Sequence, residues 1–118
     1  MFEGCTNLQY TPTYLPADIV YENSYKNMFN GCINLSKSFF SLNATKLAKS
    51  CYESMFKSCK SLFQAPYLSK DISSLVAYCF NSMFKNCYAL TLLPELNYKD
   101  NLQIYCFSSM FENCSNII

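Results

Sequence analysis

The chain has 118 residues and a formal net charge of +1, from 9 basic and 8 acidic side chains scattered along its length. That pattern excludes a basic nucleic-acid surface and an acidic tail. No apolar run reaches the roughly 18 to 20 residues of a membrane helix, and no basic segment followed by a hydrophobic stretch marks a signal peptide.

Residues 1–8 read as the tail of a motif, and residues 9–20 as a connection in which Pro12 and Pro16 oppose a long helix. Residues 21–31 are expected to form a helix stopped at Asn30-Gly31. Leu35 to Leu42 is a short apolar run, and 46–58 is a second expected helix. Leu62 to Leu68 is expected to be extended, with Pro66 limiting any pairing to two or three residues. Asp71 to Asn86 is expected to be mostly helical, capped by Asp71 or Ser73. Leu90 to Leu96 is extended again, Asp100 could cap a helix reaching about Asn113, and Ser115 to Ile118 enter another extended segment. The helices rest on spacing: Leu47, Cys51, Met55 and Cys59 fall four apart, close to one stripe at 3.6 residues per turn.

One stretch recurs. Cys51 to Leu62 returns as Cys79 to Leu90 and as Cys106 to Ile117, with partial copies at Ser24 to Leu35 and Met1 to Leu8. The Met-Phe pair falls at 1-2, 28-29, 55-56, 83-84 and 110-111, in steps of 27, 27, 28 and 27. All eight cysteines are in register with it, and so are Leu8, Leu35, Leu62, Leu90 and Ile117. A period of this size indicates units that must stack to bury their apolar sides. Stacking predicts a continuous column of Phe rings, with Met filling the gaps around it. Gly4, Gly31, Asn86 and Asn113, each between Phe and Cys, suit a left-handed turn, and Ser58 suits it less.

The blocks Phe2 to Leu8, Phe29 to Leu35, Phe56 to Leu62, Phe84 to Leu90 and Phe111 to Ile117 resemble the Ala-Phe-x-x-Cys-x-x-Leu signature of BspA-type leucine-rich repeats, with Met in place of Ala. The resemblance implies an α/β solenoid: a right-handed leucine-rich-repeat stack of about four 27–28-residue units, each with one short parallel strand and one short helix. It also implies a cell-surface, adhesion or host-interaction protein, extracellular and possible on a virion. Ser24 in place of the first Cys and Phe39 in place of Pro depart from the pattern, both in the second unit. Residues 1–118 read as one domain without complete caps, so flanking repeats or a partner chain are expected at its ends.

No enzyme is expected. The chain has no His to activate a thiol, no glycine-rich phosphate loop and no distinctive carboxylate pair. No cofactor is expected. A metal is not expected either, because no two cysteines share the short spacing of a zinc site. The cysteines read foremost as buried thiols, with disulfides between neighbouring units as the alternative. Asn34, Asn43 and Asn113 each begin a glycosylation-type triplet, a weak signal in an Asn- and Ser-rich chain. Aromatic residues outside the columns form the candidate interaction surface: Tyr10, Phe40, Phe63, Tyr67, Tyr88 and Tyr98. The expected function is an interaction or adhesion module binding host protein or glycan, without nucleic acid or membrane insertion. The alternative is a structural spacer that positions other domains and has no ligand of its own.

Overall fold

The backbone hydrogen bonds between residues 21 and 32 follow a two-residue rhythm. The N–H groups of Ser24, Lys26, Met28, Asn30 and Cys32 each donate to the carbonyl three residues earlier. The N–H groups between them, on Asn23, Tyr25, Asn27, Phe29 and Gly31, donate instead to Lys49, Cys51, Glu53, Met55 and Lys57 in the next block. This is a run of consecutive β-turns, each closed by an i to i+3 bond. The same rhythm recurs over 50–59 and 80–87. In this computed structural model, residues 2–13, 19–38, 41–69, 72, 75–92 and 105–117 are described.

The fold is therefore a small domain whose described residues hold no helix and two strands, β1 (Ser41–Leu42) and β2 (Tyr67–Leu68). This corrects the expected architecture. The α/β leucine-rich-repeat solenoid, with a helix and a strand in every turn, is not what the chain forms, and the BspA-type resemblance falls with it. The expected helices over 21–31, 46–58, 71–86 and 100–113 are absent from the described residues, and 22–31, 49–58, 77–86 and 105–113 are turns instead. The candidate caps Asp71, Ser73 and Asp100, together with Pro16, Phe39 and Pro94, lie outside the described residues.

The turns form because every fourth residue is left-handed. Positive φ occurs at Asn23, Asn27 and Gly31, at Ser50, Ser54 and Ser58, at Tyr78, Ser82 and Asn86, and at Tyr105, Ser109 and Asn113. Glycine adopts this region freely and asparagine tolerates it. Ser58, which seemed less suited, adopts it with φ 61°. A left-handed non-glycine residue costs about 1 kcal/mol or more. In return, the alternate N–H groups meet carbonyls of the following block at 2.7–3.1 Å, so the buried backbone is satisfied without a helix.

Gly31 isolates the conformational part of this cost. Its φ is +79°, and an added Cβ would meet Gly4 Cα at 3.7 Å and Gly4 N at 3.8 Å, both ordinary contacts. Gly31→Ala is expected to destabilise the fold by about 1–2 kcal/mol through φ alone. The check is a lowered urea midpoint with an unchanged m-value.

β1 and β2 pair in parallel, Ser41 with Tyr67 and Leu42 with Leu68. Single parallel bridges join Tyr10 to Lys37, Lys37 to Gln64, and Gln64 to Leu92. Pairing stays short, in keeping with the proline column, where Pro66 is fully buried.

The core lies between the turn ribbons and these extended segments. One column of rings runs Phe2, Phe29, Phe56, Phe84 and Phe111, with centroids 5.3–5.8 Å apart and planes within 12°. A second runs Tyr25, Tyr52, Phe80 and Phe107 at 5.6–6.1 Å. Met28, Met55, Met83 and Met110 are buried beside them. Ser24, at the position of the core thiols Cys51, Cys79 and Cys106, is exposed instead and closes a turn onto the Tyr21 backbone at 2.8 Å.

Candidate interaction surface

The conspicuous chemistry of the sequence, its eight thiols, is structural. The first four Phe carbonyls of the first column each accept two bonds: an N–H from three residues on and a thiol from the next block. Cys32 Sγ donates to Phe2 O at 3.0 Å, Cys59 to Phe29 O at 3.1 Å, Cys87 to Phe56 O at 3.1 Å and Cys114 to Phe84 O at 3.0 Å. All eight cysteines are free thiols, and six of them are buried. Burial pushes Cys51 up to about 11 and Cys79 and Cys87 up to about 12, so these groups are poor nucleophiles. No group of three metal-ligating side chains occurs among the described residues.

Cys5 is exposed and Cys114 half-buried, at opposite ends of one column. Native chain treated with a maleimide reagent is expected to lose one thiol quickly, at Cys5, and a second more slowly, at Cys114. The other six should react only on unfolding, as read by mass spectrometry.

The aromatic candidates divide differently. Phe40 and Tyr98 lie outside the described residues. Tyr67 is 66% exposed, Tyr10 54%, Tyr88 42% and Phe63 41%, while the rings of the two columns are largely buried. Parallel bridging places Tyr10, Lys37, Gln64 and Leu92 at successive positions of one row. Phe63 adjoins that row: its N–H donates to Ser36 O, and its carbonyl accepts from the N–H groups of Thr91 and Leu92. Tyr67 follows four residues later on β2. The structure thus gathers Tyr10, Phe63 and Tyr67 on the extended segments. Tyr88 stands elsewhere, in the turn after Cys87, where its carbonyl accepts from Asn116 Nδ2 at 2.8 Å.

Leu92, 55% exposed, belongs to the same row and was missed by sequence reasoning that read Leu90 to Leu96 as extended and sought only aromatic candidates. The signal was available, since Leu92 occupies the position of Tyr10 at the measured period. Tyr21 and Ile19 are also exposed, ahead of the second block.

The turn ribbons carry a different surface. Asn113 Nδ2 donates to Asn86 Oδ1 at 2.8 Å, and Asn81 Nδ2 to Glu53 Oε1 at 3.1 Å. Lys26 pairs with Glu53 at 3.4 Å and Lys85 with Glu112 at 3.2 Å. The Lys85 hydrogen bond holds Glu112 below the usual carboxylate range. These polar pairs engage one another across neighbouring blocks. Of the glycosylation-type triplets, Asn34 and Asn113 use their amides in hydrogen bonds to neighbouring blocks. No helix among the described residues is long and apolar enough to cross a membrane. No protein-family model, no curated protein and no solved structure matches the chain.

Proposed function

We propose that the chain is an interaction module, displayed at a cell or virion surface, that binds a host protein or glycan through Tyr10, Phe63, Tyr67 and Leu92. The observation that carries this reading is their exposure on a hydrogen-bonded backbone. Rigid aromatic side chains supply contact area at low entropic cost, and their faces stack on sugar rings or apolar side chains. Gln64, beside Phe63, and Thr91, beside Leu92, add neutral polar groups for hydrogen bonding.

The test is a screen of the folded chain against immobilised glycans and purified host surface proteins, beside the Tyr10→Ala, Phe63→Ala, Tyr67→Ala triple variant. A ligand bound by the parent chain and weakened at least tenfold in the triple variant, at unchanged thermal stability, supports the reading. Absence of binding at high micromolar concentration contradicts it and favours a structural spacer.

A further inference from the structure

Between β1 and the turn ribbon that follows it, the chain alternates in burial. Leu42 and Ala44 are buried, whereas Asn43 and Thr45 are exposed. The alternation is that of an extended chain, whose successive side chains point to opposite sides, so Asn43 and Thr45 project together into solvent. The pairing of β1 with β2 anchors this segment, because Ser69 N–H donates to Leu42 O at 2.9 Å. Asn43-Ala44-Thr45 is one of the three triplets with the spacing of an N-glycosylation acceptor. The other two have their side chains committed. Asn34 Nδ2 donates to Thr6 O at 2.6 Å and Ser36 Oγ to Gln9 O at 3.2 Å, so the amide and the hydroxyl of that triplet are both held to the preceding block. Asn113 Nδ2 donates to Asn86 Oδ1 at 2.8 Å, and Cys114, the middle residue of its triplet, donates its thiol to Phe84 O at 3.0 Å. Asn43 has no side-chain hydrogen bond among the described residues.

We propose that Asn43 is the acceptor for an N-linked glycan, and that Asn34 and Asn113 are not. The donor is a polyprenyl-diphosphate-linked oligosaccharide. Asn43 Nδ2 attacks the anomeric carbon, and the new N–C bond forms as the C–O bond to the diphosphate breaks. One amide proton passes to a base of the transferase, and the polyprenyl diphosphate leaves with the bonding pair. Thr45 provides the hydroxyl that the acceptor pattern requires two residues on. A glycan is bulky and needs solvent around it. At Asn43 it extends outward and leaves the buried Leu42 and Ala44 in place. A sugar on Asn34 would be placed against Thr6, and one on Asn113 against Asn86, so a chain modified there loses a contact between blocks. The site shares with the interaction reading only the route to a surface, and it does not depend on Tyr10, Phe63 or Tyr67.

The test supplies that route directly. The 118-residue chain is sent through the secretory pathway of a eukaryotic cell behind a cleavable leader, and the folded protein is recovered from the secretory lumen and the medium. Enzymatic release of N-glycans in heavy-oxygen water converts each glycosylated Asn to a labelled Asp, which peptide mass spectrometry locates. The expected result is the label at Asn43 in most copies and at neither Asn34 nor Asn113. Asn43→Gln and Thr45→Ala should each abolish it, and Thr45→Ser should retain part of it. Made in bacteria without glycosylation, Asn43→Gln should melt at the same temperature as the parent chain, because the amide holds no structural contact. Asn34→Gln should melt lower, through loss of the bond to Thr6. An unmodified Asn43 in the folded, secreted chain would overturn the proposal, and so would equal labelling of Asn34 or Asn113. A lowered melting temperature for Asn43→Gln would overturn it as well, by giving the amide a structural role.

Discussion

Phe56→Ala is expected to cost about 3–5 kcal/mol, the range for truncating a fully buried aromatic. The ring has no solvent exposure and lies between Phe29 at 5.3 Å and Phe84 at 5.6 Å. Removing it leaves a cavity bounded by two rings that lose their stacking partner. The surrounding backbone has little freedom to collapse, because the Phe56 N–H is bonded to Met83 O and its carbonyl to Cys59 N–H and the Cys87 thiol. A small domain has about 5–15 kcal/mol of stability in total, so the variant should be near the limit of folding at 37 °C. Phe111→Ala is the control. That ring is partly exposed and has one stacked neighbour in its column, Phe84 at 5.8 Å. Its loss should cost less than half as much. Urea denaturation of both variants decides the matter: equal, small losses would show that the ring column does not hold the fold.

The second large effect is alkaline unfolding driven by the thiols. Burial raises Cys51 to about 11 and Cys79 and Cys87 to about 12 from an ordinary 9.0, and raises Cys59 further. A group whose folded pKa is raised stabilises the neutral form in the fold. Its full contribution is present below the unfolded pKa and is lost as pH rises toward the folded one. The window therefore runs from about pH 9 to pH 11–12 for these thiols. Within it, each thiol removes about 1.4 kcal/mol per pH unit. Four together should remove about 4 kcal/mol between pH 9 and pH 10, since the unfolded thiols are only half ionised at pH 9. Tyr52, raised by the same burial, adds to the loss at still higher pH. Under reducing conditions, the midpoint of urea unfolding should be nearly constant from pH 7 to 8 and then fall steeply. Cys79→Ala should reduce that slope by about 1.4 kcal/mol per pH unit. A flat profile through pH 10 would contradict the burial of the thiols.

The same residues show what was legible in the sequence and what was not. Register was legible: the spacing of Met, Phe, Cys and Leu placed each residue beside its counterpart one period away, and the Phe rings stack in that order. Local conformation was misread. Leu47, Cys51, Met55 and Cys59 suggested a helix because steps of four lie near 3.6. On an α-helix, however, each such step advances about 40° beyond a full turn, so three steps spread the residues over about 120°. The burial pattern is strictly four-residue: Cys51-Tyr52 in, Glu53-Ser54 at the surface, Met55-Phe56 in, Lys57-Ser58 at the surface, Cys59 in. The residues that permit it were visible as Asn23, Asn27 and Gly31, and as Ser50, Ser54 and Ser58. Gly31 and Ser58 suggested a single stop at the end of each helix rather than one member of a four-residue series, although asparagine, serine and glycine all favour turns over helix interiors. With the helices gone, the leucine-rich-repeat architecture had no support. The candidate surface was partly legible. Tyr10, Phe63 and Tyr67 stand exposed on the extended segments, whereas Tyr88 occupies a turn whose position depends on tertiary packing that spacing alone does not encode.

Each block directs alternate N–H groups to its neighbour rather than to itself. Scalar couplings measured by NMR across hydrogen bonds in uniformly labelled protein test this bond by bond. A coupling is predicted from the Phe56 nitrogen to the Met83 carbonyl carbon, and another from the Met55 nitrogen to the Tyr52 carbonyl carbon. A coupling from the Phe56 nitrogen to the carbonyl carbon of Tyr52, four residues earlier, would mean an α-helix and would contradict the account.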